Sequence, residues 1–131
     1  MQYEALKALS EVRFAKATDC LADAKCLLSN GSFKGAANRA YYAVFHAMRA
    51  VLAYDGIDMK HHSGIISEFR RLYIKTALID KRHSQTISLL SDSRNNSDYD
   101  DFYIISKAEA IDYLELAEEF LAAISLFLST K

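Results

Sequence analysis

Apolar residues recur every three to four positions along most of the chain, and this recurrence divides it into five stretches. From Glu4 to Ser29 the stripe runs Leu6, Leu9, Ala17, Cys20, Leu21, Ala24, Leu27 and Leu28, with Arg13 set among them. Asn30-Gly31 ends this first helix, because glycine takes the left-handed conformation at a helix end without strain, and Ser32 suits the next N-cap. A second helix is predicted from about Phe33 to Asp55, stopped by Gly56. Its core stripe is Phe33, Ala37, Tyr41, Val44, Phe45, Met48, Val51 and Leu52, while Asn38, Arg39, Tyr42, His46 and Arg49 gather on another face.

A loop through Ile57–His62 leads to Ser63, placed to cap a third helix bearing Ile65, Ile66, Phe69, Leu72, Tyr73 and Ile74. After a break over Thr76–Asp80, a fourth helix covers roughly Lys81 to Asn95. Its end lies in the polar run Ser91–Asp98, whose short side chains compete for backbone hydrogen bonds, so fraying is expected there unless tertiary contacts hold the helix. Tyr99–Ile105 carries no clear pattern. Ser106 with Glu109 forms a capping box and opens a last helix to about Ser129. That helix is apolar over more than one stripe, through Ile111, Leu114, Leu121, Ile124 and Leu128 with Tyr113, Phe120 and Phe127, and so calls for a second packing partner.

Composition agrees. Among 131 residues there is no proline and there are four glycines, too few turn residues for a β-rich fold of this size, so the expected class is all-α. The length suits a single domain over residues 1–131. Neither a signal peptide nor a run of about 18 uncharged apolar residues is seen, so a cytoplasmic protein with no membrane attachment is expected. Sixteen Lys and Arg against seventeen Asp and Glu give a net charge of −1, so any phosphate site must be local. Cys20 and Cys26 face different ways on one helix and read as reduced, buried packing residues.

Four groups of residues have chemical potential. Arg94 and Asp98 are four apart and can pair on one helical face, and Arg94 beside Asn95 has the fork geometry that clamps phosphate. Arg39 and His46 lie two turns apart on the polar face of the second helix, where they serve phosphate chemistry, or else Tyr42, His46 and Arg49 satisfy one another or line an oligomer contact. The adjacent His61 and His62 lack companions at metal-ligand spacing, and no metal or cofactor is expected. Instead, His62 and Ser63 sit where a helix start faces an anion. Arg13 requires a carboxylate partner; Asp98, Asp101 and the last helix are the candidates. Phosphate-loop, dinucleotide, nucleophile-elbow and zincin motifs are absent.

The string Asn38-Arg39-Ala40-Tyr41-Tyr42-Ala43-Val44-Phe45-His46-Ala47, followed by Leu52, Gly56, Lys60-His61-His62-Ser63-Gly64, Arg94 and Asp98-Tyr99, resembles the prokaryotic HEPN domains over most of the chain. The resemblance implies an up-and-down antiparallel bundle of about five helices. It also implies homodimers with a polar site between the fourth-helix regions, and a partner of the minimal nucleotidyltransferase type. Its ribonuclease branch carries an Arg, four to six residues, then a His. Arg94 matches the Arg, but Asn95 to Asp101 contain no histidine. An aspartate titrating near 3.9 is a poor proton shuttle beside an imidazole near 6.5, and it repels the phosphate that Arg94 attracts. His83 lies eleven residues from Arg94, roughly 16 Å along one helix, so within one chain only His46 is left to supply an imidazole, and His83 would have to come from a partner copy. In some members of the family a tyrosine near the motif is modified by the partner, and Tyr99 stands nearest that place.

These readings lead to one expectation and two rivals. The expectation is a non-catalytic module that binds a nucleotide or RNA phosphate through Arg94, Asn95, Asp98, Tyr99, Arg39, His62 and Ser63, and acts as dimeric partner or regulator of a nucleotidyltransferase in a toxin–antitoxin-like pair. The first rival is a metal-independent endoribonuclease toxin using Arg94 with His46 or His83. The second is a purely structural oligomerisation module.

Overall fold

A computed structural model gives the structure of residues 2–131, all of whose regular elements are helices. They are α1 (Gln2–Ser29), α2 (Phe33–Tyr54), α3 (His62–Phe69), α4 (Arg82–Tyr99) and α5 (Lys107–Ser129), with a π-helical segment, Arg70–Ile74, continuing α3. The molecule is an all-α bundle in which α2 is the central helix, packed by each of the others. Its apolar content explains that position. Tyr41, Val44, Met48, Val51 and Leu52 form one stripe, and Ala36, Ala40, Ala43, Ala47 and Ala50 form a second at spacings of four, three, four and three.

The alanine stripe faces α1, where the Ser10 hydroxyl donates to the Ala50 carbonyl at 2.7 Å. Small residues at the seam, with Ala17 and Ala24 opposite on α1, let the two backbones approach closely. Leu9, expected in the core stripe of α1, is instead partly exposed, and the smaller Ser10 takes the buried place. α5 packs on α2, α1 and α4, which is why more than one of its stripes is apolar. Phe69, Phe120, Ile65 and Ile124 close the centre of the core.

Local chemistry sets the helix ends. Gly31 (φ 79°) and Gly56 (φ 76°) stand just past α1 and α2. In each case the amide after the glycine donates back to the carbonyl of Leu27 or Leu52, at 2.8 and 2.9 Å, the bond pattern that satisfies orphan helix carbonyls. The Ser106 hydroxyl accepts from the Glu109 amide, and the Glu109 carboxylate accepts from the Ser106 amide, completing the capping box of α5.

Several expectations need correction. α4 runs beyond Asn95 to Tyr99: the tertiary contacts on which its polar end depends are present, since Ser93 is buried and Arg94 is held by side chains of α2 and α3. The N-cap of α3 is His61 rather than Ser63, which lies inside the helix, and neither His61 nor Ser32 makes a side-chain capping bond. The third helix does not run on as α-helix to Ile74: it widens at Arg70, where the Lys75 amide reaches the Arg70 carbonyl at 2.8 Å. Cys20 is buried, but Cys26 is exposed, since six residues turn it away from the seam. The partner of Arg13 is Asp58, in the loop before α3, at 3.1 Å. Asp58 also pairs with Arg49 at 3.0 Å, and these two arginines hold its carboxyl below the usual range.

Candidate functional site

α2, α3 and α4 converge on a cleft of about 530 Å³. Its floor is the Tyr41 ring. α3 contributes His62, Ser63, Ile66 and Ser67, the π-helical segment contributes Arg70, and α4 contributes Ser91, Arg94 and Asn95. Among the described residues, no carboxylate lines it.

The centre of the cleft is a contact between Arg94 and His62. Arg94 Nη1 lies 3.1 Å from His62 Nδ1, and the Tyr41 hydroxyl lies 2.8 Å from the same nitrogen. A guanidinium only donates, so Nδ1 is the acceptor and the ring proton sits on Nε2. Tyr41 must then donate to Nδ1 as well. His62 is fixed by stacking on Phe45, with ring centroids 4.0 Å apart. Burial lowers its pKa, and Arg94 and Arg49 lower it further, so the imidazole is neutral at neutral pH. Arg94 is itself half-buried, with its guanidinium carbon 5.3 Å from the Tyr41 centroid and 5.7 Å from that of Tyr42. Its Nε is 3.5 Å from Asp98 Oδ2, within ion-pair reach but without hydrogen-bond geometry.

Of the residues singled out in the sequence, Arg94, Asn95, His62 and Ser63 are thus brought together. Arg39 and Asp98 instead line a neighbouring hollow with Lys34, Asn38 and Ser97. The Arg39 guanidinium bonds to Asn38 and lies over Tyr42, 4.8 Å from its centroid, so Tyr42 stands between the two hollows. Tyr99 is 87% exposed. His46 is on the α2 face beside Tyr42 with Nδ1 buried and unpartnered, and its pKa is pushed down to about 4, first by burial and then by Arg49, Lys16 and Arg39. His83 is 3% exposed and edge-on to Phe120. The imidazole that meets Arg94 is therefore neither of these but His62, supplied by the same chain.

Sequence reasoning assigned Tyr41 to the core alone and passed over Arg70, Ser67 and Ser91. A signal existed. Ser63, Ser67 and Arg70 recur at four and three residues, and Ser84, Ser88, Ser91 and Asn95 at four, three and four, which mark two polar helical stripes. Among the described residues, no group of three His, Cys, Asp or Glu side chains is placed to hold a metal ion. No helix among them is long and apolar enough to cross a membrane.

The family model of the HEPN domain matches residues 10–126. The chain belongs to the HEPN family. This HEPN chain is 34% identical over 109 residues to a UPF0332 protein of Thermotoga maritima, covering 83% of each. It is 36% identical over 111 residues to a UPF0332 protein of Archaeoglobus fulgidus, covering 85% of this chain and 88% of the other. A Methanocaldococcus jannaschii protein named "Putative toxin MJ0142" is 30% identical over 116 residues, 88% of this chain and 79% of that one.

Proposed function

We propose that this HEPN chain is one half of a toxin–antitoxin-like pair, and that it binds a phosphoryl group of a nucleotide or RNA in the α2–α3–α4 cleft without catalysing a reaction. The observation that carries the reading is the setting of Arg94: a half-buried guanidinium, held over two tyrosine rings and against His62, in a cleft with no lining carboxylate. Guanidiniums bind phosphate through paired N–H donors, and here much of the ordering cost is met by the fold. The toxin name of a relative supports the pairing.

The partner in this reading is a nucleotidyltransferase-like protein bound to a homodimer in the cytoplasm. The loop after α4 supports a protein partner, because Phe102 and Ile104 are 91% and 83% exposed beside Asp98, Asp100 and Asp101. Calorimetry with AMP and a short RNA tests the ligand: binding lost in Arg94→Gln supports it. An Arg94→Gln protein that melts lower, with nothing bound by either form, supports a purely structural module instead. Co-purification from the native host tests the partner, and repeated recovery of the chain without a nucleotidyltransferase refutes that part.

The Arg94–His62 contact favours a second reading, a metal-independent endoribonuclease in which substrate phosphate draws Arg94 off His62, and the freed Nδ1 of the neutral ring takes the 2′-hydroxyl proton while Arg94 neutralises the phosphate. It requires RNA cleavage in EDTA that disappears in both His62→Ala and Arg94→Ala. Intact RNA after incubation with the purified parent protein removes this reading.

A further inference from the structure

Arg70 is set differently from Arg94, the other arginine that lines the cleft, and from the arginines that meet carboxylates elsewhere in the fold. Arg13 and Arg49 meet Asp58, Arg71 meets Glu68, and Arg94 has Asp98. Arg70 bonds only to neutral oxygens: Nε donates to Ser84 Oγ at 2.9 Å, and Nη2 donates to the Ser84 carbonyl at 2.9 Å and to Ser88 Oγ at 2.6 Å. Three donors are thus engaged on α4, while Nη1 has no protein partner among the described residues and the side chain lines the cleft. The widening of the helix at Arg70–Ile74 begins at this residue. The result is a guanidinium whose rotamer is fixed by the fold and whose charge no carboxylate offsets, lining the same cleft as Arg94.

From this we infer that the cleft selects a terminal phosphate, the dianionic end of a phosphomonoester or phosphoanhydride, over the internal diester of a nucleic-acid strand, and that Arg70 is the residue that makes the distinction. The inference rests on the phosphate-binding reading of the cleft and narrows its ligand. A diester offers one negative charge on two free oxygens. A monoester offers three oxygens and close to two charges above its second pKa near 6. Arg94 already shares its charge with Asp98, so a single-charged diester leaves Arg70 uncompensated, whereas a dianion satisfies both guanidiniums. Neutral donors for the third oxygen are at hand in Ser63, Ser67, Ser91 and Asn95.

Calorimetric titration of the full chain at pH 7.5 tests this with four probes: 5′-AMP, its 3′,5′-cyclic diester, inorganic phosphate, and a short oligoribonucleotide with or without a 5′-phosphate. A charged hydrogen bond made by one probe and missing from the other predicts that 5′-AMP binds about tenfold or more tighter than the cyclic form, and the phosphorylated RNA tighter than its hydroxyl counterpart. Inorganic phosphate alone binding as well as AMP assigns the site to the phosphate, and AMP or RNA binding tighter assigns a contribution to the rest of the ligand. Arg70→Gln brings the monoester-to-diester ratio to about one, while Arg94→Gln weakens both. Arg70→Lys keeps a cation but not the fork on Ser84 and Ser88, and retains only part of the ratio. A role of Arg70 as a strap between segments changes stability but leaves the ratio alone. Equal affinity for both esters in the parent chain, or a preference that survives in Arg70→Gln, overturns the inference while the phosphate reading stands. Absence of binding by every probe overturns both.

Discussion

His46 makes acid a selective denaturant of this fold. Its ring is neutral at pH 7, Nδ1 is buried without a partner, and Arg49, Lys16, Arg39 and His62 all oppose a charge on it, so its folded pKa is about 4 against 6.5 for the free side chain. A base whose pKa is depressed by folding contributes stability that is complete above 6.5 and lost as pH falls from 6.5 towards 4, because the unfolded chain binds the proton first. At pH 5 the unfolded histidine is almost fully charged and the folded one is about nine-tenths neutral, which costs the native state about 2 kcal/mol relative to pH 8. Urea denaturation at pH 8 and pH 5, in the parent chain and in His46→Gln, measures this contribution. The change in each protein is read against itself, so any fixed cost of the substitution cancels, and His62 and His83, also depressed, act in both. The parent should lose about 2 kcal/mol more than the variant, a difference in midpoint shift on the order of 1 M urea. Equal losses in the two proteins refute the argument.

Three further outcomes follow from named contacts. Asp58→Ala leaves the Arg13 side chain, 8% exposed, without a carboxylate, and should cost about 1–2 kcal/mol in urea at neutral pH. This is less than for a fully buried pair because Asp58 is itself exposed. Ser106→Ala opens the capping box of α5 and should lower stability by about 1 kcal/mol, seen as a melting temperature about 3–5 °C lower. Ala77 is exposed in the left-handed region at φ 61°, so Ala77→Gly should raise stability by about 0.5 kcal/mol, the relief of strain exceeding the added freedom of the unfolded chain. No change, or a loss, on thermal denaturation of Ala77→Gly contradicts that account.

Much of the fold was legible because its determinants are local. Glycines 31 and 56 ended helices where their freedom to take positive φ was needed, and Ser106 with Glu109 announced α5. The stripe from Tyr41 to Leu52 was legible as the core face of α2, and the helix that carries it is the central one. The site was legible only in part. Arg94, Asn95, His62 and Ser63 were marked by residue type and do share a cleft, but Tyr41 looked like a core residue because its hydroxyl carries no periodic signal. Arg39 and Asp98, equally marked, fell to the next hollow.

The sequence by itself determined the helices and their stops, since hydrogen bonds to the fourth residue back, caps and apolar periodicity act within a few residues. The tertiary structure alone decided which polar faces meet. His62 reaches Arg94 across 32 positions, Asp58 reaches Arg13 across 45, and the polar end of α4 stays helical because side chains of α2 and α3 hold Arg94. Such pairings depend on how far each helix is rotated and tilted against its neighbours. The packing of whole surfaces sets that rotation, and a pattern read along one helix does not contain it.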